Sequence, residues 1–348
     1  MPKNALIFCE GGFSHPVGKT AHGLIRHSKR YRIVGVIDST VAGRDAGVIL
    51  DGKPRGIPVF KSIEDAIEKS STKPEVMIVG LAPTGFNGEA SIIYAAETAL
   101  LNGLSVHSGL HLFLSDLPEL QSIARDRGLV LLDVRKPPSR RLQMLSGKIL
   151  GIKAPRLLVT GQDAAVGKRT TAIRLSEELA ARGVHTCLIG TGQTAWLQGI
   201  DYGIRLDALP LDFAGGELEA EVVKAYEQEV PDIIIIEGQG SLLNPGYSCE
   251  TMILLTTCLP SMLVYVAAPE RSHYVDFPEF KMRDAEEEMR LLEALSGASI
   301  MGVVVHCQSA TLLRQEYLRS DVPVALGADG DLGPIAESVK NFASPQKI

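Results

Sequence analysis

The sequence predicts an α/β protein of two domains, each built on a doubly wound, mostly parallel sheet. Three observations carry that prediction. Short apolar runs alternate with longer stretches of helical period along the chain. A polar, proline-bearing stretch near 136–155 interrupts the alternation once. The 348 residues also exceed what one core usually holds, since a domain runs to roughly 150.

The elements follow in order. Residues 4–9 read as a strand, 18–29 as a helix and 31–37 as a strand ending at Asp38. A helix is expected over 62–69, a strand over 75–80 and a helix over 89–101. Short strands follow near 104–107 and 129–132, with a helix at 116–127 between them. Strand–helix alternation implies right-handed crossovers and a parallel sheet. The run 136–141 (KPPSRR) suits a linker, and the boundary is placed at about 150, giving domains 1–150 and 151–348. A second alternation then begins: strand 156–160, helix 167–182, strand 184–190, helix 216–229 and strand 232–237. After a loop come strand 262–267, helix 282–296, strand 300–306, helix 309–319, strand 322–326 and a helix near 333–342. In the acidic run 284–290, Met282, Ala285, Met289 and Leu292 fall at helical spacing, so the acids are expected to face water.

Composition narrows the function classes. Hydrophobic residues make up 45% and charged residues 22%, an ordinary globular balance. With a net charge of -6 and no basic stripe, a nucleic-acid partner is not expected. No apolar stretch approaches the ~20 residues of a membrane span. The five cysteines include no C-x-x-C pair, which argues against a disulfide framework and a structural zinc site. Cys9, Cys187 and Cys307 lie in or beside apolar runs. A reducing, cytoplasmic setting and a homo-oligomer are the expectations.

Residues 157–171 (LLVTGQDAAVGKRTT) carry the chemistry. An apolar strand runs into a small-residue loop, then Gly167-Lys168, then an apolar-periodic helix. Glycine lets main-chain N–H groups turn inward, the helix start adds its dipole, and Lys168 adds a full charge. That is the order of parts in a P-loop, whose pattern is G-x-x-x-x-G-K-[ST]. The candidate phosphate-binding residues are Gly161, Gln162, Asp163, Ala164, Ala165, Val166, Gly167, Lys168, Arg169, Thr170 and Thr171. Two departures stand out. Gly161 lies one residue too far upstream, and Arg169 follows the lysine where a hydroxyl belongs, which weakens the case for Mg²⁺ and for nucleotide hydrolysis.

The run 231–240 (PDIIIIEGQG) reads as a strand buried on both faces that delivers Glu237 to the sheet's C-terminal edge. There Glu237 could hold Mg²⁺ or act as a base. Thr191, Gln193 and Thr194 follow another strand and, with Asp207 and Asp212, offer a substrate or metal shell.

The first domain is Rossmann-like in its alternation, and Asp38 stands where such folds keep an acid for ribose hydroxyls. Its first loop, however, is not G-x-G-x-x-G, and Phe13, His15 and Pro16 would obstruct a pyrophosphate. The loop does carry Gly18-Lys19-Thr20, read as a coincidental turn or a second anion site. His107 and His111 flank a strand end, and Arg135 could clamp a carboxylate or anchor the linker.

The strings TGQDAAVGK and IIIIEGQGS resemble those of dethiobiotin synthetase, over the second domain only. A resemblance over nearly the whole chain rests on VGVIDSTVAG, VHSGLHLFL, DVRKPP, GQDAAVGKRTT, TGQT, the Asp207 and Asp212 pair, EGQGSLLNPGYS and 268–271 (APER). Together these are similar to a family long labelled as of unknown function, some of whose members are D-glutamate N-acetyltransferases using acetyl-CoA. That resemblance implies an acetyl-CoA-dependent N-acyltransferase acting on an amino acid, with the CoA phosphates on the P-loop. Glu237 and Asp212 would be candidate bases, and His111, Arg135, Thr191, Gln193, Thr194 and Arg271 would bind substrate. The chain departs from the family at Asn244, where His tends to stand before proline. Two alternatives stay open: an ATP-dependent ligase or kinase of dethiobiotin-synthetase type, with Mg²⁺ on Thr170, Asp212 and Glu237, and a nucleotide-binding regulator without turnover.

Overall fold

The computed structural model describes residues 2–82, 88–306, 321–327 and 330–343. The expected helix at 309–319 and Cys307 lie outside the described residues. The chain forms two compact units, Met1–Pro137 with Gln193–Ile200, and Pro138–Gly192 with Asp201–Ile348.

The first unit holds a six-stranded sheet of β1 (Lys3–Phe8), β2 (Tyr31–Ile37), β3 (Val59–Phe60), β4 (Val76–Val79), β5 (Ser105–Ser108) and β6 (Leu131–Asp133). Every pairing is parallel and the order is β3-β2-β1-β4-β5-β6, that of a doubly wound dinucleotide-type fold. Successive side chains enter opposite faces: Leu6 and Phe8 pack in one core, Ala5 and Ile7 in the other.

The second unit holds a seven-stranded sheet: β7 (Arg156–Gly161), β8 (Thr186–Gly190), β9 (Tyr202–Gly203), β10 (Ile233–Glu237), β11 (Met262–Ala267), β12 (Ser299–Val305) and β13 (Val324–Leu326). Its order is β13-β12-β11-β7-β10-β8-β9, again parallel throughout. The four-isoleucine run is explained by its central place. Ile234 and Ile236 pack in one core, Ile233 and Ile235 in the other, and no polar face is left. Parallel register brings the loops after β7, β8, β10 and β11 to one edge of this sheet. The two α/β sheets match the predicted fold class.

Several elements differ from the sequence reading. The helix expected from 216 starts five residues earlier, as Leu211–Glu229. Gly215 and Gly216 hid its first turns, but Gly216 is required there, because a Cβ would lie 2.2 Å from the Gln143 carbonyl oxygen. A helix, Ser248–Cys258, stands in the stretch read as loop. The acidic run also needs correction. Its apolar positions are buried as expected, but so is Glu288, at 1% exposure. It lies three residues after Ala285 and four before Leu292, on the buried stripe itself. Its carboxylate accepts from the Tyr265 hydroxyl at 2.7 Å and the Leu243 N–H at 3.2 Å.

Residues 138–150 pack with the second unit, and two buried acids on one helix are the reason. Glu217 accepts both guanidinium nitrogens of Arg140, at 2.7 and 2.6 Å, and the Gln143 N–H at 2.7 Å. Glu219 accepts Ser146 N–H and hydroxyl at 2.6 and 2.7 Å and Ile149 N–H at 3.0 Å. Gln193–Ile200, by contrast, packs with the first unit. Gln198 donates to the Gly23 and His27 carbonyls at 2.8 and 3.0 Å, and the Arg30 guanidinium lies 4.1 Å from the Trp196 ring centre.

Truncating Glu219 leaves the buried Ile149 N–H and the two Ser146 donors without their acceptor. Glu219→Ala is expected to lower the unfolding free energy by about 3 kcal/mol, while Glu227→Ala on the exposed face costs under about 0.5 kcal/mol. Equal urea midpoints for the two variants would contradict this account of the 138–150 segment.

Candidate functional site

β7 ends at Gly161, and the helix Lys168–Ala181 begins seven residues later. The intervening loop is held from several directions. Gln162 donates to the Arg283 carbonyl and accepts from the Ala268 N–H, both at 3.0 Å. Asp163 is fully buried and accepts from Ala164 N–H at 2.7 Å, Val275 N–H at 2.9 Å and the Asn244 amide at 3.3 Å. Its charge is met by Arg271 at 2.9 Å. Arg271 also donates to the carbonyls of Ala164 and Ala165, at 2.7 and 3.1 Å. That grip explains how Ala165 keeps a φ of +53°.

Gly167, with φ +102°, turns the chain into the helix, a conformation open to glycine alone at little cost. Main-chain N–H groups at a helix start have no intrahelical acceptor. Among the described residues, none accepts from the N–H groups of Ala165, Val166 or Gly167. Lys168 is buried, and its ammonium donates to the carbonyls of Asp163 at 2.7 Å and Gly240 at 2.6 Å. Burial pulls its pKa down to about 8, against the charges of Asp163, Glu288 and Glu237. Thr170 is half-buried, whereas Thr171 is buried with its hydroxyl unpaired among the described residues.

Glu237 ends β10 beside Val159 of β7, so the acid sits next to the phosphate loop. One carboxylate oxygen accepts from the Thr191 N–H at 3.0 Å, and the other lies 3.6 Å from the Arg169 guanidinium. The Thr191 hydroxyl donates to the Glu237 carbonyl at 2.9 Å and accepts from the Gln239 amide at 2.8 Å. The loop after β10 is held from behind by Glu288 on Leu243 N–H and by the Tyr274 hydroxyl on the Leu243 carbonyl at 2.9 Å. Burial pushes the Glu288 carboxyl up, while its hydrogen bonds and Lys168 act the other way.

The remaining candidates separate. Asp212 is exposed in the first turn of Leu211–Glu229 and forms no hydrogen bond or ion pair with a described residue. Arg271 serves the loop itself. Gln193, Thr194, Arg135 and His111 belong to the first unit. There Arg135 donates to the Gly109 carbonyl and to the Gln193 side chain at 2.9 Å, and Thr194 meets the Thr20 hydroxyl at 3.1 Å. His111 is exposed. His107 is a core residue, bonded to the Tyr31 hydroxyl at 2.6 Å, and its burial lowers its pKa to about 4. The first loop of that unit is filled by its own Phe13, whose N–H donates to Asp38 at 2.9 Å. Asp38 thus holds the loop. Sequence reasoning missed Gly240, Gln239 and Glu288. The E-G-Q-G turn was the available signal for the first two, and helical spacing from Ala285 for the third. Among the described residues, no group of three or more His, Cys, Asp or Glu is placed to hold a metal ion, and no helix is long and apolar enough to cross a membrane.

Comparison with known proteins agrees with this architecture. The family described as "Domain of unknown function (DUF1611_C) P-loop domain" matches residues 143–321, and "Domain of unknown function (DUF1611_N) Rossmann-like domain" matches 39–137. A DUF1611 family protein of known structure from Anabaena variabilis is 33% identical, with a TM-score of 0.79 and 88% of each chain covered. Two curated relatives are called D-glutamate N-acetyltransferase. The one from Tritonibacter scottomollicae is 32% identical over 63% of this chain, and the one from a Pseudoalteromonas species 30% identical over 59%. The matched segments span 64% and 60% of those relatives' lengths.

The buried ammonium gives a pH signature. Between about 8 and the ordinary lysine value of about 10.4, the unfolded chain keeps a proton that folded Lys168 has released. Stability relative to Lys168→Met should therefore rise with pH in that window, by up to about 1.4 kcal/mol per pH unit. Below the window both states are protonated and the difference is flat. Urea unfolding of the two proteins from pH 7 upward checks this, and a difference that stays flat throughout refutes the buried-cation assignment.

Proposed function

The chain belongs to the DUF1611 family, and from that premise we propose that it is an acetyl-CoA-dependent N-acetyltransferase acting on a D-amino acid of the glutamate type. The reading rests above all on the phosphate loop. Three N–H groups without an acceptor among the described residues, a helix start and a buried ammonium are the parts of an anion cradle of the kind a diphosphate fills. Coenzyme A carries such a diphosphate, and holding it calls for no hydrolysis. The two relatives called D-glutamate N-acetyltransferase supply the reaction class and the acceptor.

In the proposed step the acceptor's amine nitrogen attacks the thioester carbonyl carbon. The C–N bond forms, the C–S bond breaks, and the thiolate leaves on CoA. The ammonium form of the amine cannot attack, so a base must take its proton. Glu237 is the candidate. It ends a central strand whose neighbour is the P-loop strand, and Thr191 N–H fixes its orientation. Asp212, exposed on its helix, has no such support.

The test is thiol release from acetyl-CoA with matched D- and L-amino acids, after thermal-shift screening with acetyl-CoA, CoA, ATP-Mg and NAD. D-glutamate or a close analogue should release thiol faster than its L-enantiomer. Lys168→Ala is expected to raise the KM for acetyl-CoA by about 100-fold with a smaller change in kcat. Glu237→Gln should lower kcat by about 100-fold or more. An unchanged KM in the lysine variant, or no thiol release with any amino acid, removes the proposal.

A further inference from the structure

The P-loop pattern pairs a hydroxyl after the lysine with an acid at a neighbouring strand end, and between them they hold Mg²⁺. This chain keeps the acid and replaces the hydroxyl by Arg169, whose guanidinium lies 3.6 Å from Glu237. The pair is sheltered, with 22% and 4% of the two side chains exposed, so salt screens it weakly. Glu237's other oxygen is engaged by Thr191 N–H at 3.0 Å. The next hydroxyl, Thr170, is a further residue along the helix, turned by about 100° from the position the pattern uses. Asp212, an acid the sequence offered for the shell, is exposed in the first turn of its helix. These residues do not fit a divalent cation beside Glu237. A metal ion there would have to displace the guanidinium or share its space with a like charge.

We propose that the Arg169 guanidinium takes the place of the divalent cation in this phosphate loop, so that a diphosphate ligand binds without magnesium. The inference rests on the reading that the loop holds a diphosphate. It adds that the charge usually supplied by a metal is built into the chain. Lys168 and Arg169 then stand as consecutive cations at the helix start, and Glu237 holds the second of them in position. A loop of this kind favours a ligand that arrives without its metal, such as a coenzyme A thioester, over a magnesium-nucleotide complex.

The test is isothermal titration calorimetry of the full chain with acetyl-CoA and with ADP, which share the diphosphate, in EDTA and in millimolar MgCl₂. The wild type should bind at least one of them with dissociation constants that agree within about twofold between the two buffers. Arg169→Ser, which restores the hydroxyl, should bind about tenfold more weakly in EDTA and recover in MgCl₂. Arg169→Lys, which keeps a cation, should bind in EDTA. Wild-type binding that requires magnesium overturns the inference and leaves the phosphate loop standing, as does an Arg169→Ser variant that binds undiminished in EDTA. Binding of neither compound in either buffer overturns the phosphate-loop reading, and this inference with it. Melting curves of both variants establish that they fold. Should Arg169→Ser not fold, the wild-type titrations decide alone.

Discussion

One buried ammonium ties the second unit's site together. Lys168 is held between the carbonyls of Asp163 in the phosphate loop and Gly240 in the loop after β10. Those loops follow adjacent strands, so the lysine fastens two neighbouring crossovers at the sheet edge. A cation in a site this enclosed is tolerable only where oxygen atoms surround it. Asp163, Glu237 and Glu288 supply negative charge nearby, and all three are themselves satisfied: by Arg271, by Arg169 with Thr191, and by Tyr265 with Leu243. The site is a set of paired charges in which removing one member leaves another uncompensated, which makes it costly to alter piecemeal.

Much of this was legible in the sequence because the signals are local. The phosphate loop is a strand, a small-residue turn and a helix in immediate succession. The isoleucine run announces its burial by having no polar face. The unforeseen parts are long-range. Nothing near Glu288 says that Tyr265, on a strand over twenty residues earlier, will receive its carboxylate, and the acids around it argue for water. Residues 136–141 read as a linker because they are polar and carry prolines, yet Glu217 and Glu219 lie some seventy residues on and anchor Arg140 and the residues that follow it. The helix Gln193–Gln198 begins three residues after β8 in the P-loop half of the sequence, and its partners, such as Gly23, are far upstream.

The first of the loop's two departures from the P-loop pattern, its extra residue, comes with Asp163, a buried acid in a loop whose pattern receives anions. It is tolerated because Arg271, Val275 N–H, Ala164 N–H and Asn244 absorb its charge. Arg271 in turn donates to the carbonyls of Ala164 and Ala165 in the same loop. The sequence suggested this arginine for a substrate carboxylate, but the loop has a stronger claim on it, since a buried carboxylate without its partner is destabilising by several kcal/mol.

The same logic bears on Asn244, which stands where the family that the sequence resembles tends to carry histidine. Asn244 is fully buried, donates to Asp163 at 3.3 Å and accepts from Gly246 N–H at 2.9 Å. A side chain at this position faces the phosphate loop from inside the protein. Its task is to give a hydrogen bond to a carboxylate and receive one from the backbone, and a neutral imidazole with one N–H and one bare nitrogen offers the same pair. The amide thus supplies both hydrogen bonds that this position gives the loop and the turn after β10.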